Sequence, residues 1–216
     1  CISKRFTRTA KRNRRIKIKN REIGGDKMNI KQIMENINLE KIMYVISLNE
    51  ISGNENVICK FSYAGGKSGY SFGRSQFDVT HNVRARNFLK NICGFSDHDI
   101  NKLLKLDKDI GYLNERLKLF RNDIDRLDKE HINQMVNYVA SLEGLPEFEN
   151  EKTFVHLVDY HNQFNLSKNG LMHRFIKSKK TLSSQDILNF KLGLKWGREQ
   201  PRDVKRRYNN IENNWK

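Results

Sequence analysis

Asn38-Leu-Glu-Lys-Ile-Met-Tyr-Val-Ile-Ser-Leu-Asn-Glu50, followed by a run that closes on Gly69-Tyr-Ser-Phe-Gly-Arg-Ser-Gln-Phe-Asp-Val79, decides how this chain is read. In the first part Leu39, Ile42, Met43, Val45, Ile46 and Leu48 recur at three- and four-residue steps. Asn38, just before them, can accept a hydrogen bond from the first turn, so the spacing predicts a helix capped by Asn38 and running to about Glu50. It stops near Ser52-Gly53. From Asn56 to Val79 the texture changes to the alternation Val57-Ile-Cys-Lys-Phe-Ser-Tyr63, the turn-forming Ala64-Gly-Gly-Lys-Ser-Gly69 and a second alternating run. That pattern predicts a short irregular hairpin. A helix that ends in a carboxylate therefore leads directly into a glycine-rich hairpin.

Outward from this stretch the chain reads as helical. Spacing of Val83, Phe88, Leu89 and Ile92 predicts a helix closed by Gly94, and Ser96-Asp-His-Asp99 is a capping box for another through Ile100, Leu103 and Leu104. Leu113, Leu117, Phe120, Ile124 and Leu127 form one stripe, and Ile132, Met135, Val136, Val139 and Leu142 a second, each read as one face of a packed helix. Phe154 to Phe164 is too apolar for a surface helix and is expected to cross the core. Ser184 is read as the cap of a further helix, and Pro201 as the first residue of the last one, with Val204, Tyr208, Ile211 and Trp215 on its stripe. No internal repeat is visible. The fold class is mainly α with a small β region.

The 216 residues contain 41 Lys+Arg against 25 Asp+Glu, a formal charge of +16. With 37% hydrophobic residues and only 2 Pro, the chain can bury a core and does not have the composition of a disordered protein. No run of apolar residues is long enough to span a bilayer. Residues 1–27 hold eleven Lys/Arg and two acids, Glu22 and Asp26, without a helical apolar stripe, and Gly24-Gly25 sets them apart from the rest of the chain. They are read as a basic, flexible arm, and 28–216 as one folded domain. The arm has no apolar stretch of the kind a secretory signal needs. Cys1, Cys59 and Cys93 lie in no metal-binding or disulfide spacing, and the six histidines in no HExxH arrangement, so neither a metal nor another cofactor is expected. Strong positive charge suits a polyanion, either the phosphates and carboxylates of a bacterial envelope or nucleic acid.

Glu50 is the candidate for chemistry. Set among apolar neighbours such as Tyr44, Ile46 and Ile51, a carboxyl there is expected to keep its proton at neutral pH, as a general acid requires. The pairing of this helix-ending Glu with the downstream Gly73-Arg-Ser-Gln76-Phe-Asp78 resembles the lysozyme-like superfamily, in particular goose-type lysozymes and soluble lytic transglycosylases. Asp159-Tyr160-His161-Asn162 also resembles the Ala-Tyr-Asn segment of the transglycosylases. The resemblance covers about residues 38–216. It departs from the family pattern at Ser75, where an apolar residue is usual, at Glu50-Ile51, where Glu-Ser is common, and in the long insert before Gly73.

The resemblance implies a lysozyme-like helical domain with a small β region beside a cleft. It also implies a muramidase that cleaves the β-1,4 bond between N-acetylmuramic acid and N-acetylglucosamine of bacterial peptidoglycan. Glu50 would be the catalytic acid, with Glu55 its rival, and Asp78 the second carboxylate, which favours hydrolysis over transglycosylation. Tyr70, Ser71, Phe72, Gly73, Gln76, Tyr160 and Asn162 would contact the glycan. Such an enzyme would act as a monomer at the cell wall, held there by anionic envelope polymers. The alternative is a basic helical nucleic-acid-binding protein that uses the arm and Lys205-Arg206-Arg207.

Overall fold

The computed structural model describes residues 27–215, so the basic arm, apart from Lys27, lies outside the described residues. The chain opens with α1 (Ile30–Asn36) and α2 (Leu39–Ile51). The Asn38 side chain accepts from Lys41 N at 3.0 Å, as its place before the apolar stripe predicts. α2 ends where Ser52 turns left-handed at φ 53°. A 3-10 turn (Glu55–Val57) leads into β1 (Ser62–Tyr63), β2 (Tyr70–Phe72) and β3 (Phe77–Asp78). The expected hairpin is thus a three-stranded antiparallel sheet in the order β1-β2-β3, with Ser62 opposite Ser71 and Ser71 opposite Asp78.

Three short helices come next: α3 (Val83–Asn91), α4 (Asp97–Leu104), held by the Ser96–Asp99 capping box, and α5 (Gly111–Lys118). The two stripes read as separate helices are divided differently in the structure. α6 (Arg121–Ala140) runs through Ile124 and Leu127 and on through the second stripe as far as Val139, leaving Leu142 beyond its end. Leu113 and Leu117 belong to α5 instead, because the backbone tightens at Leu119 and Phe120, whose N–H groups reach back only three residues, to Arg116 and Leu117. Such a tight turn preserves the three-to-four spacing of apolar residues, so periodicity alone does not register the break.

The remaining elements are β4 (Glu147–Phe148), α7 (Glu151–Phe164), α8 (Leu171–Lys177), β5 (Thr181–Leu182), α9 (Ser184–Gly193), α10 (Lys195–Glu199) and α11 (Pro201–Asn214). β4 and β5 pair in parallel, a contact two residues long that leaves no periodic trace in sequence. Thr153 to Tyr160 of α7 are all buried, as expected of a core-crossing helix. The cap of α9 is Ser183 rather than Ser184, since Ser183 exchanges hydrogen bonds with Asp186 three residues on. On α11 the buried face carries Val204, Arg207 and Ile211, with Tyr208 turned partly outward.

Buried apolar residues divide into two clusters. The larger gathers α1, α2, α7, α8, α9, α11 and the second half of α6 around Val45, Ile46, Val136 and Leu157. The smaller gathers the sheet, α3, α4, α5 and the start of α6 around Phe61, Phe72, Leu89 and Leu113. Two elements cross between them. On α2, Ile46 belongs to the large core and Ile51 to the small one; on α6, Leu127 belongs to the small core and Ile132 to the large one. Glu50 and His131 lie at these two crossings. No helix among the described residues is long and apolar enough to cross a membrane.

Candidate functional site

The helix that Asn38 starts brings Glu50 to the boundary between the cores, where its side chain is 21% exposed. The surroundings differ from the apolar setting expected. Its Oε1 accepts two hydrogen bonds, from an Arg207 guanidinium nitrogen at 2.9 Å and from the Asn162 amide at 2.9 Å. Among the described residues no hydrogen bond reaches Oε2. One oxygen is fixed by two donors and the other is left open. Tyr44, one of the expected apolar neighbours, is 51% exposed on the outer face of α2.

Beneath Glu50 lies a buried charge cluster drawn from four helices. Asp159 of α7 accepts from Asn49 of α2 at 2.9 Å, from Arg207 of α11 at 2.5 and 3.3 Å, and from Lys191 of α9 at 3.3 Å. All four residues are at most 5% exposed. Burial alone would push the Asp159 carboxyl up, but the adjoining Arg207 and Lys191 charges overcome it and hold Asp159 well below the usual carboxylate range. Burial pulls the Lys191 ammonium below its ordinary value. Arg207 therefore has two partners on one nitrogen, buried Asp159 and Glu50. Burying two cations this deep costs more than the ion pairs return unless every donor is matched. Such a cluster fixes geometry, and what it fixes is Glu50.

The sheet packs in the small core, and among the described residues no hydrogen bond or ion pair joins it to Glu50. Its β2–β3 turn is pinned to α6 by Asp128, whose two oxygens accept from Arg74 N at 2.8 Å and Ser75 N at 2.9 Å. Asp128 is fully buried, and that burial pushes its carboxyl up. Gly73 in this turn has φ 79°, and a Cβ there would stand 3.0 Å from the Phe77 ring and 3.2 Å from Asp128 Oδ2. Replacing Asp128 by Ala leaves two turn N–H groups without acceptors. The expected loss is roughly 2–4 kcal/mol, measured by urea denaturation.

The sheet residues named from sequence take distinct places. Gln76 sits left-handed at φ 51°, donates to Gly73 O at 2.9 Å and accepts from Ser62 Oγ at 2.9 Å. The Tyr70 hydroxyl donates to Asp107 O at 3.0 Å, and its ring stands edge-on to Phe61. Ser71 is half-buried between its β1 and β3 partners. Phe72 is fully buried and stacks on Phe88 at 5.9 Å, so its ring supports the small core from within instead of lining a cleft. Asp78 accepts three backbone N–H bonds, from Gly69 at 2.9 Å, Thr80 at 2.7 Å and His81 at 3.0 Å, which employs both of its oxygens in building the loop.

No protein-family model, curated protein or solved structure matches this chain. The site therefore rests on its own geometry.

Of the two large-core residues named from sequence, Asn162 is brought to Glu50. Tyr160, 7% exposed, packs against Phe164 and Phe190. Glu55 is 63% exposed and bonds to Arg74 and Arg121, which hold its carboxyl below the ordinary range. A 150 Å³ cavity lined by Tyr44, Ser47, Glu55 and Arg74 lies one helical turn before Glu50, and another of 250 Å³, lined by Leu48, Ser52, Arg206 and Asn210, lies behind it. Glu50 lines neither. Among the described residues no group of His, Cys, Asp and Glu could hold a metal ion.

The basic triplet on α11 is largely engaged within the fold. Arg207 is 4% exposed, and Arg206 donates to the carbonyls of Leu48 at 3.3 Å and Asn49 at 3.1 Å while pairing with Asp203. Lys205 and Arg206 are both exposed, Arg206 with 41% of its side chain accessible, so of the triplet only Arg207 is withdrawn from the surface.

His131, at the α6 crossing, escaped sequence reasoning. Burial pulls its imidazole from 6.5 down to about 4, helped by the Arg84 charge and opposed by the adjacent Asn162 side chain. Between pH 6.5 and 4 the unfolded chain binds a proton here that the folded protein does not, so stability falls as pH drops through this window. The expected loss from this group is roughly 3 kcal/mol by pH 4, and His131→Phe, which cannot titrate, should remove that part of the slope in denaturation at stepped pH.

Proposed function

We propose that this protein is a peptidoglycan-cleaving glycosidase, a muramidase of lysozyme-like architecture, with Glu50 as its general acid. The observation that carries the reading is the half-anchored carboxyl. Arg207 and Asn162 hold Glu50 Oε1, and Oε2 stays open at the boundary of two cores. A group that must deliver a proton to a glycosidic oxygen needs a fixed position and one free oxygen. Chain order supports it as well: a capped helix delivers the carboxylate, a small antiparallel sheet follows at once, and a long helix then links the two cores.

In this reading Oε2 gives its proton to the leaving oxygen as the C1–O bond of the β-1,4 linkage breaks, the sugar C1 is captured by water or by its own 6-hydroxyl, and the proton released there returns to Glu50, while Asn162 with the rim of the sheet at Tyr70, Ser71, Gly73 and Gln76 borders the glycan. Asp78 is already committed to three backbone donors, so we place the chemistry on Glu50 and no step on Asp78. The +16 charge concentrates the enzyme on anionic wall polymers. The nucleic-acid alternative loses one of its three α11 cations, because Arg207 is buried against Asp159 and Glu50. The test is release of soluble muropeptides from purified bacterial walls by the unmodified protein, with Glu50→Gln as its control.

A further inference from the structure

We propose that the 150 Å³ cavity between α2 and the β2–β3 turn is a sugar subsite of the Glu50 site, seating a neutral N-acetylglucosamine next to the muramic acid whose bond is cleaved. The proposal rests on the glycosidase reading and specifies which sugar of the alternating wall glycan the site holds here.

Helix geometry sets the cavity beside Glu50. Met43 and Ser47 line it, and Met43, Ser47 and Glu50 follow one another on α2 at steps of four and three, so they form one row along its surface. Ser47 and Glu50 are about 4.5 Å apart along the helix axis and about 60° apart around it. That rise is close to the length of one sugar in a β-1,4 chain. Arg74 of the β2–β3 turn also lines the cavity, so here the sheet side of the molecule meets the helix that carries Glu50.

Ser47 is the observation that points to a ligand. The residue is 3% exposed, yet no hydrogen bond among the described residues reaches its hydroxyl, and the hydroxyl is not sealed from solvent. A hydroxyl left open in this way can both donate and accept. Tyr44 adds a ring that is 51% exposed to the same cavity. Together they offer a hydrogen-bonding group and an aromatic face, which match the polar edge and the apolar C–H face of a sugar ring.

The surrounding charges select the kind of sugar. Glu40 pairs with Lys129 at 2.5 Å, Glu55 with Arg74 at 2.9 Å and Arg121 at 3.0 Å, and Arg74 with Asp125 at 3.2 Å. Three acids thus cancel three bases, in a protein whose overall charge is +16. A phosphate or carboxylate would give up its hydration here and meet no uncompensated cation, whereas a neutral N-acetylated sugar loses far less. Glu55 has one oxygen on each arginine, so it holds them rather than the ligand. In the wall glycan each muramic acid carries a lactyl group and has neutral N-acetylglucosamine on both sides. A neutral subsite one sugar away from Glu50 therefore fits cleavage after muramic acid.

The experiment titrates chitotetraose, the β-1,4-linked tetramer of N-acetylglucosamine, into full-length Glu50→Gln protein, which binds without cleaving. Added to that protein, Tyr44→Ala, a change at an exposed side chain, should weaken binding at least about tenfold, while Tyr44→Phe, which keeps the ring face, should stay within about threefold. Ser47→Ala, which removes only the hydroxyl, should weaken binding at least about threefold. Excess inorganic phosphate should not displace the tetramer. Undiminished binding with Tyr44→Ala or with Ser47→Ala, displacement by phosphate, or no binding of the tetramer at all would overturn the proposal. Tyr44-dependent binding in a protein that, unmodified, releases no muropeptides would instead overturn the catalytic reading of Glu50 and leave the sugar site standing.

Discussion

Glu50→Gln should lower the rate of muropeptide release at least about 100-fold while the protein stays folded. A positioned general acid is worth roughly 10²–10⁴ in rate, and an amide of the same shape has no proton of suitable acidity to give. Folding should survive because the amide oxygen can still accept from Arg207 and Asn162, and Arg207 keeps its buried partner Asp159 at 2.5 Å. The expected thermodynamic cost is about 1 kcal/mol, the size of one partly exposed hydrogen bond weakened by the change. Glu55→Gln is the matched control. Glu55 is exposed and its bonds to Arg74 and Arg121 tie it to the surface, so its removal should leave cleavage within about twofold. Full activity in Glu50→Gln together with loss in Glu55→Gln would move the catalytic acid five residues along the chain.

The parts of this fold that were legible are those whose cause is local. Asn38 before α2, Ser96 before α4 and Pro201 at the start of α11 act within one turn of themselves, and the apolar run of α7 announces its burial by composition. The break between α5 and α6 was hidden because the tight turn at Leu119-Phe120 keeps the apolar residues in step. Two acids did leave a trace. Asp128 stands four residues from both Ile124 and Ile132, on the stripe itself, and Asp159 lies inside the continuously buried run of α7. An acid at a core position must have a buried partner. Sequence names the acid but not the partner, since Asp159 finds Arg207 at 48 residues' separation and Asp128 finds Arg74 N at 54. Arg207 was misread for a related reason. Lys205, Arg206 and Arg207 look like one basic patch in the sequence, but consecutive helix residues point about 100° apart, and Arg207 is the one that shares the inward face with Val204 and Ile211.

Replacing Asp159 by Ala should destabilise the protein by roughly 3–5 kcal/mol, the usual consequence of leaving buried charge without its partner. Asp159 is the only acid within the cluster that is fully enclosed, and two cations depend on it. Lys191 and Arg207 are 5% and 4% exposed and would both lose their shared carboxylate, with only Arg207 keeping a bond to Glu50. The pH dependence has a definite sign. Because Asp159 is held below its ordinary value in the folded state, its contribution is complete above the unfolded value of 3.8 and is lost as pH falls through the lower folded value, so acid should abolish the difference between the parent and Asp159→Ala. Removing the whole cluster is a different operation from breaking it. The triple change Asp159→Leu, Arg207→Met and Lys191→Met replaces every charge by an apolar group of similar reach and should recover most of the stability in a guanidinium melt. It should not recover catalysis. Glu50 Oε1 would keep only Asn162, and a carboxyl free to rotate about one hydrogen bond is expected to lose at least about tenfold in cleavage rate. If the triple variant is both stable and fully active, the cluster serves the fold alone and the anchoring of Glu50 by Arg207 has no part in the chemistry.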